Sequence, residues 1–335
     1  MFHIWSGMPV PSEGDSEDKL RFSVLIPFRN EAERIAPLIA SLKQLNYPYQ
    51  FFEILFIDDH SEDGTASLIE AGMPAVMDWK LVDLPTGLSG KKTALEFGVE
   101  RAAHDHVITT DADCLVSPDW LDAFNSSFQR FDPVFISGPV SLTYNPRSLT
   151  QVFQYFEQTE LTALGGISIA LHKPTMCNGA NMGYTKQAFL EVGGYQGNKH
   201  IPTGDDQYLL KKMADVFPRR IFFMRTAKAL VTTGAENRWD RMISQRIRWA
   251  SKWRISGVWV AILAVLVAMA NFGQLILGAY LLFVAPDSLF AKTGKGILIY
   301  WPVIQVLYPF YALVIAAKSS LGTYSWKGRQ YSVTG

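Results

Sequence analysis

The sequence predicts an α/β fold: a mostly parallel sheet with helices on both faces, followed by C-terminal transmembrane helices. Three observations predict it. Between Phe22 and Thr110, short apolar runs alternate with segments of helical spacing, the signature of strand–helix units that build a parallel sheet. Two of those runs end in paired carboxylates, Asp58-Asp59 and Asp111-Ala112-Asp113, and ligands bind at the carboxyl edge of such sheets. Beyond residue 254, Ile255 to Ala285 carries no charged side chain, which exceeds the roughly 20 residues needed to span a bilayer.

The elements follow in order. Phe22 to Pro27 reads as a buried strand, because it is short and continuously apolar. Asn30 is placed to cap the next helix, with Glu33 three residues on. Ile35, Leu38, Ile39, Leu42 and Leu45 then repeat with helical spacing. Phe51 to Ile57 is a second strand, and Ser61-Glu62-Asp63-Gly64-Thr65 is a turn that starts another helix. Trp79 to Leu84 is a third strand. The loop Gly87-Leu88-Ser89-Gly90-Lys91-Lys92 precedes a helix with Leu95, Val99 and Ala102 on its apolar face, and His106 to Thr110 is a fourth strand. Past Asp113 the alternation loosens. Val134–Ser137, Ile221–Phe223 and Ala229–Val231 read as short strands, Leu149–Leu171 as an amphipathic or interfacial helix, and Gly204-Asp205-Asp206 as the start of a helix through Met213. Arg238 to Trp253 is a basic, aromatic helix.

Composition narrows the function. The 335 residues hold 31 Lys+Arg and 31 Asp+Glu, so no overall charge points to nucleic acid. Hydrophobic residues make up 48% and charged residues 19%, and the apolar excess lies in the last third. Gly296 to Ala317 is a second charge-free run. Arg241, Arg246, Arg248, Lys252 and Arg254 precede the first run, and Lys318, Lys327 and Arg329 follow the second. Basic flanks outside both runs place both ends in the cytoplasm. Residues 1–20 lack a secretory-signal pattern, so the N-terminal portion is expected to stay cytosolic. Cys114 and Cys177 have no metal-ligand spacing and are expected as reduced thiols.

The chemistry concentrates in acidic loops. Two carboxylates side by side repel and resist desolvation unless a cation lies between them. A hard divalent ion holding a diphosphate removes that cost. Each pair also has a bland explanation: Asp58 and Asp59 as Asx-turn formers, Asp205 and Asp206 as helix caps, Lys91 and Lys92 as a solvated helix start. The case for a site rests on their occurring together.

With the fourth element, Gln245-Arg246-Ile247-Arg248-Trp249, the chain resembles the membrane-attached family 2 glycosyltransferases of the GT-A fold, a Rossmann-like architecture. The matching text runs Val24-Leu25-Ile26-Pro27-Phe28-Arg29-Asn30-Glu31, Phe56 to Thr65, Thr110 to Asp113, Gly179-Ala180-Asn181, Phe189 to Tyr195, Gly204-Asp205-Asp206 and Gln245 to Trp249. The tail Trp326-Lys327-Gly328-Arg329 also looks like C-termini of this branch.

The resemblance implies an inverting, metal-dependent transferase. Its donor would be a UDP-sugar, its acceptor a lipid or lipid-linked molecule, and its metal Mg²⁺ or Mn²⁺. Donor contacts would come from Pro27, Arg29, Glu31, Asp58 or Asp59, Lys91, Lys92 and Asp111. Asp113, with Asp111, would hold the metal. Asp206, beside Asp205, would be the general base. Gln245, Arg248 and Trp249 would close over the diphosphate and acceptor. The implied layout is a tail (1–20), a cytosolic GT-A domain (21–235), an interfacial helix (236–254), a membrane region of about two spans (255–317) and a cytosolic tail (318–335). A processive polysaccharide synthase and a non-catalytic nucleotide-sugar binder are the alternatives.

Overall fold

The computed structural model describes residues 2–10, 18–199, 203–250, 300–319, 323–326 and 329–332, with isolated positions between 269 and 276. It divides into two compact units, Met1–Thr143 with Glu157–Gly234, and Tyr144–Phe156 with Ala235–Gly335.

The first unit is built on a seven-stranded sheet. β1 (Phe22–Phe28), β2 (Phe52–Asp58), β3 (Trp79–Asp83) and β4 (His106–Thr109) are all parallel and pair in the order β3-β2-β1-β4. β1 and β2 are buried along their whole length, as continuous apolar runs are when helices cover both faces. Their register, Phe22↔Phe52 through Phe28↔Asp58, brings both strand ends to one edge.

Beyond β4 the sheet continues through β8 (Met182–Thr185) to β6 (Phe135–Ser137) and β9 (Ile221–Phe223). β8 runs antiparallel to both its neighbours, so its first residue, not its last, lies at the carboxyl edge of the parallel strands. A second sheet, β5-β10-β7, joins Cys114–Val116, Val231–Gly234 and Val140–Thr143. These short strands, and helix α5 (Trp120–Phe131), escape the alternation rule because each is too brief, or too mixed in polarity, to show a period. Ala227–Ala229 is a 3-10 turn, and the strand expected there begins at Val231.

Three helices pack beside the first strands. α2 is Ile35–Leu42, α3 is Thr65–Gly72 and α4 is Lys91–Arg101. Leu95, Val99 and Ala102 are buried, as their spacing predicts. The expected Asn30 cap is corrected. α2 starts at Ile35 without a side-chain cap, and the N–H groups of Arg34 and Ile35 donate to the Glu31 carbonyl. Asn30 instead takes φ 51°, which Asn tolerates better than most residues. Its Oδ1 accepts the Glu62 N–H at 2.9 Å, and the Asp63 carboxylate accepts the Ala32 N–H at 2.9 Å. The loops after β1 and β2 are thus laced to each other. The short helix α1 (Phe2–Gly7) brings Trp5 against Phe223 at 5.8 Å and is followed by the buried Met8.

Glu53 lies inside the sheet, on β2. Its Oε1 accepts from Ser23 Oγ at 2.7 Å and from the Ala103 N–H at 2.6 Å, and Oε2 accepts from Lys80 Nζ at 2.9 Å. Burial works to raise its pKa. The bonds from Ala103, Ser23 and Lys80, with the Lys80 charge, outweigh burial and hold it below the ordinary 4.5. A depressed carboxylate stabilises the fold above its unfolded pKa and loses that contribution as pH falls through the folded value. Acid unfolding of Glu53→Gln should therefore show a shallower loss of stability below pH 4.5 than the parent chain, measured by denaturant midpoints across pH.

Gly183, in the middle of β8, lets α5 approach. A Cβ there would sit 2.5 Å from Phe124 Cε1 and 2.9 Å from its Cδ1, and that ring is fully buried. Gly183→Ala should lower stability by about 1–3 kcal/mol through overpacking, read as a shifted urea midpoint with unchanged slope.

The second unit packs the start of α6 (Leu149–Ala170) with α9 (Trp239–Ala250) and α10 (Trp301–Ser319). Val152, Phe153, Met242 and Ile304 form its core, and Phe153 meets Tyr311 edge-on at 4.9 Å. Gln154 bonds both the N–H and the carbonyl of Glu236. Strands β11 (Thr323–Trp326) and β12 (Arg329–Ser332) form an antiparallel hairpin that pairs Trp326 with Arg329. The expected run 255–285 falls outside the described residues apart from isolated positions. Among the described residues no helix is long and apolar enough to cross a membrane. α10, the described part of the second expected span, contains Pro309, the buried Gln305 and two tyrosines, Tyr308 and Tyr311.

Candidate active site

The carboxyl edge of the parallel strands gathers five segments of the first unit: the ends of β1, β2 and β4, the start of β8, and the amino end of α8 (Asp205–Val216).

At the end of β2 the two carboxylates part. Asp58 Oδ1 accepts the Ser61 N–H at 2.8 Å, a bond within its own loop. Asp59 continues the backbone ladder by donating its N–H to the Phe28 carbonyl at 2.9 Å, while its Oδ2 accepts the Gly90 N–H at 3.0 Å. Gly90 has φ 96°, a conformation that glycine adopts freely. Arg29 Nη1 donates to the Asp59 carbonyl at 2.5 Å and stands 4.0 Å from Oδ1. Pro27 lies within β1, and Glu31 is buried with its N–H donated to Thr65 Oγ1 at 2.9 Å. His60 joins the same pair of loops, its Nε2 3.0 Å from the Leu88 carbonyl.

At the end of β4, the Asp111 and Asp113 side chains are each about one-third exposed, 35% and 32%. Lys91, the first residue of α4, lies between two carboxylates. Its Nζ is 2.7 Å from Asp111 Oδ1 and 3.0 Å from Asp205 Oδ2. Burial pulls the Lys91 pKa down. The charges of Asp111 and Asp205, and the hydrogen bonds it donates to both, outweigh burial and hold it above the ordinary lysine range. Asp113 Oδ2 is 3.7 Å from Arg34 Nη1, and its carbonyl accepts from Thr233 Oγ1 at 3.1 Å.

α8 begins after Gly204 at φ 80°. Asp205 and Asp206 occupy its first turn, where the helix dipole favours negative charge. Asp205 is buried, while Asp206 is more open and its Oδ1 accepts the Gln207 N–H at 2.7 Å. Lys92 is turned elsewhere. It is buried, donates to the Asn198 carbonyl at 2.8 Å and lies 4.6 Å from the Tyr208 ring centroid.

The edge therefore brings Asp59, Lys91, Asp111, Asp113, Asp205 and Asp206 onto neighbouring segments, while Asp58 bonds Ser61 in its own loop and Lys92 bonds the distant Asn198. Gln245, Arg248 and Trp249 lie on α9, in the second unit. There the Arg246 guanidinium stacks over Trp249 at 4.3 Å and donates to Gln245 Oε1.

Sequence reasoning gave no role to Arg34, to the Gly90 N–H or to Asn181. Asn181 is fully buried. Its Oδ1 accepts from Trp120 Nε1 at 3.0 Å, and its Nδ2 donates to the carbonyls of Pro139 at 2.9 Å and Ala229 at 2.7 Å. The signal was present as an Asn following Gly179-Ala180 before a strand.

A divalent ion fits the chemistry of the β4 turn. Asp111 and Asp113 offer hard oxygen donors at a partly open position, and such ions take several more oxygens from a bound diphosphate and water. Among the described residues no group of three or more His, Cys, Asp or Glu is arranged to hold a metal unaided. Among the described residues neither Cys114 nor Cys177 is in a disulfide.

Comparison with known proteins bears on the family and the fold. The model of "Glycosyl transferase family 2" matches residues 23–193. Glycosyltransferase AglE of Haloferax volcanii is 25% identical over 193 residues, covering 58% of this chain and 61% of AglE. Poly-beta-1,6-N-acetyl-D-glucosamine synthase of Staphylococcus epidermidis is 35% identical over 97 residues, covering 29% of this chain and 23% of that enzyme. The chain thus spans less than two thirds of the length of either relative. Among solved structures, mannosyltransferase PcManGT from Pyrobaculum calidifontis, in complex with GDP-Man and Mn²⁺, superposes with a TM-score of 0.60 at 19% identity, covering 94% of this chain and 93% of that one. That likeness establishes a shared GT-A-like architecture. With half its length, residues 23–193, matched by the family's model, the chain belongs to glycosyl transferase family 2.

Proposed function

We propose that the chain is an inverting, metal-dependent glycosyltransferase that moves a sugar from a nucleotide sugar to a lipid or lipid-linked acceptor at the cytosolic face of a membrane. The observation that carries this reading is the single sheet edge holding Asp59, the Asp111–Asp113 turn and Asp205-Asp206. Asp59 is oriented by Gly90 and Arg29, as a carboxylate that receives a nucleoside's N–H or hydroxyl groups would be. Asp113 and Asp111 would hold Mg²⁺ or Mn²⁺, which when bound offsets charge developing on the departing diphosphate.

Asp206 is assigned as the general base. Its carboxylate accepts the proton of the acceptor hydroxyl as that oxygen bonds to the anomeric carbon and the bond from that carbon to the diphosphate oxygen breaks. The nucleoside diphosphate leaves, and the configuration inverts. Asp205 is buried and paired with Lys91 at 3.0 Å, whereas Asp206 is the more exposed carboxylate of the two.

UDP is the nucleotide that the family resemblance implies. PcManGT, whose structure holds GDP-Man, supports testing GDP beside it. Membrane placement is supported by the charge-free run from Ile255 to Ala285. The face of α10 with exposed Val303, Val306, Phe310 and Leu313 supports it too. A processive polysaccharide synthase is the second reading, favoured by the 35% identity to the poly-N-acetylglucosamine synthase over its matched segment.

The test is transfer itself. Full-length protein in detergent receives labelled UDP- and GDP-sugars, Mn²⁺ and total lipid extract. Label in a glycolipid fraction is the expected result. Label in a long water-soluble polymer would favour the synthase, and no release of nucleoside diphosphate from any donor would overturn the transferase reading.

A further inference from the structure

We infer that Lys91 is a positioning residue that ties the β4 turn to the amino end of α8, holding Asp205 in place so that Asp206 faces the acceptor; its place is between Asp111 and Asp205, and it is not a diphosphate ligand. This inference deepens the proposed reading of the same site and rests on it.

Three observations carry it. The ammonium meets carboxylates from two different segments, at 2.7 Å and 3.0 Å, so it links elements far apart in the chain. The Lys91 side chain is only 20% exposed, and it forms close ion pairs with both carboxylates. The backbone beneath is cut to fit. Gly179 has no side chain, and a Cβ there would lie 2.8 Å from Asp205 Oδ2 and 3.1 Å from Lys91 Nζ. The Gly179 carbonyl is itself fixed by Thr109 Oγ1 at 3.2 Å, at the end of the strand that delivers Asp111.

The arrangement has a simple electrostatic logic. Asp111, Asp113, Asp205 and Asp206 put four carboxylates on adjoining segments, and like charges repel. An ammonium between two of them offsets that repulsion before any metal or donor arrives. It also fixes the first turn of α8 relative to the β4 turn, and reacting groups held in a near-attack arrangement react faster. Asp205 then serves as an anchor and Asp206 as the base, which explains why two consecutive aspartates are present.

Variants of the full chain separate this role from diphosphate binding. Lys91→Met should lower kcat by about tenfold or more, while the donor KM and the affinity for nucleoside diphosphate with Mn²⁺ change by less than about threefold. Mn²⁺ alone, followed by electron paramagnetic resonance without nucleotide, should bind about three- to tenfold more tightly to Lys91→Met, because a cation beside Asp111 has been removed. Lys91→Arg, which can also span two carboxylates, should restore part of kcat. Gly179→Ala, which crowds the bridge without changing charge, should lower kcat in the same pattern. A Lys91→Met protein that binds nucleoside diphosphate about tenfold or more weakly, with Mn²⁺ affinity unchanged, would overturn the inference and make Lys91 a diphosphate ligand. If the unaltered chain transfers no sugar, the transferase reading fails, while the Mn²⁺ and nucleotide affinities still decide the role of Lys91.

Discussion

Asp206→Asn is expected to lower kcat for sugar transfer by ~10²–10⁴-fold, the usual contribution of a positioned base, with little change in nucleotide affinity. The amide keeps the shape of the side chain and can still accept the Gln207 N–H seen at 2.7 Å, so the first turn of α8 should persist. Only the capacity to take a proton is removed. Asp205→Asn provides the contrast. It weakens the link to Lys91 at 3.0 Å and should cost kcat through misplacement of α8, with partial activity remaining. Steady-state release of nucleoside diphosphate, with and without acceptor, measures both. If Asp205→Asn is the dead variant and Asp206→Asn retains turnover, the two roles are exchanged.

The largest effect on stability is expected at Asn181. Asn181→Ala leaves the Trp120 N–H and the carbonyls of Pro139 and Ala229 without the partners they now have. A buried polar group stripped of its partner costs about 1–3 kcal/mol. The three are neighbours and share one side chain, so their costs do not add fully, and a total of about 2–4 kcal/mol is expected. The denaturant midpoint should fall accordingly, with the slope unchanged. Asn181→Asp keeps the acceptor for Trp120 but loses both donors and buries a charge, so it should be no milder. A loss below about 0.5 kcal/mol, the range of ordinary surface substitutions, would mean that Asn181 does not organise this edge. The effect reaches the site. Pro139 precedes β7 and Ala229 precedes β10, and Thr233 of β10 holds the Asp113 carbonyl at 3.1 Å. Loosening Asn181 should therefore also weaken metal-dependent donor binding.

The first four strands, of which β1 and β2 are buried throughout and β3 only partly, were legible because each is a short, largely apolar run with a helical segment before the next, and length separates such runs from helices. The antiparallel β8 was not. Met182-Gly183-Tyr184-Thr185 mixes polarity and carries a glycine whose purpose, room for Phe124, exists only in three dimensions. Asn30 misled for a related reason. Its spacing to Glu33 fits a cap, yet Glu62 in another loop offers a better bond, and tertiary contact overrides a local preference.

The acidic turns could be found by chemistry, since carboxylates after apolar strands need an explanation. Their division of labour could not. Asp58 and Asp59 are equivalent on paper, and only the fold shows Asp58 bonding Ser61 in its own turn while Asp59 meets Gly90. The lysines divide in the same way, Lys91 toward Asp111 and Lys92 toward Asn198. Consecutive residues at the start of a helix point about 100° apart, so adjacent lysines rarely share a task.

The most direct test is a crystal structure of the chain grown with Mn²⁺ and a nucleoside diphosphate. The account predicts the nucleoside against Asp59, the metal at Asp111 and Asp113, and Lys91 still between Asp111 and Asp205. A nucleotide bound away from the carboxyl edge of β1, β2 and β4, or a metal held without either aspartate of the β4 turn, would contradict it.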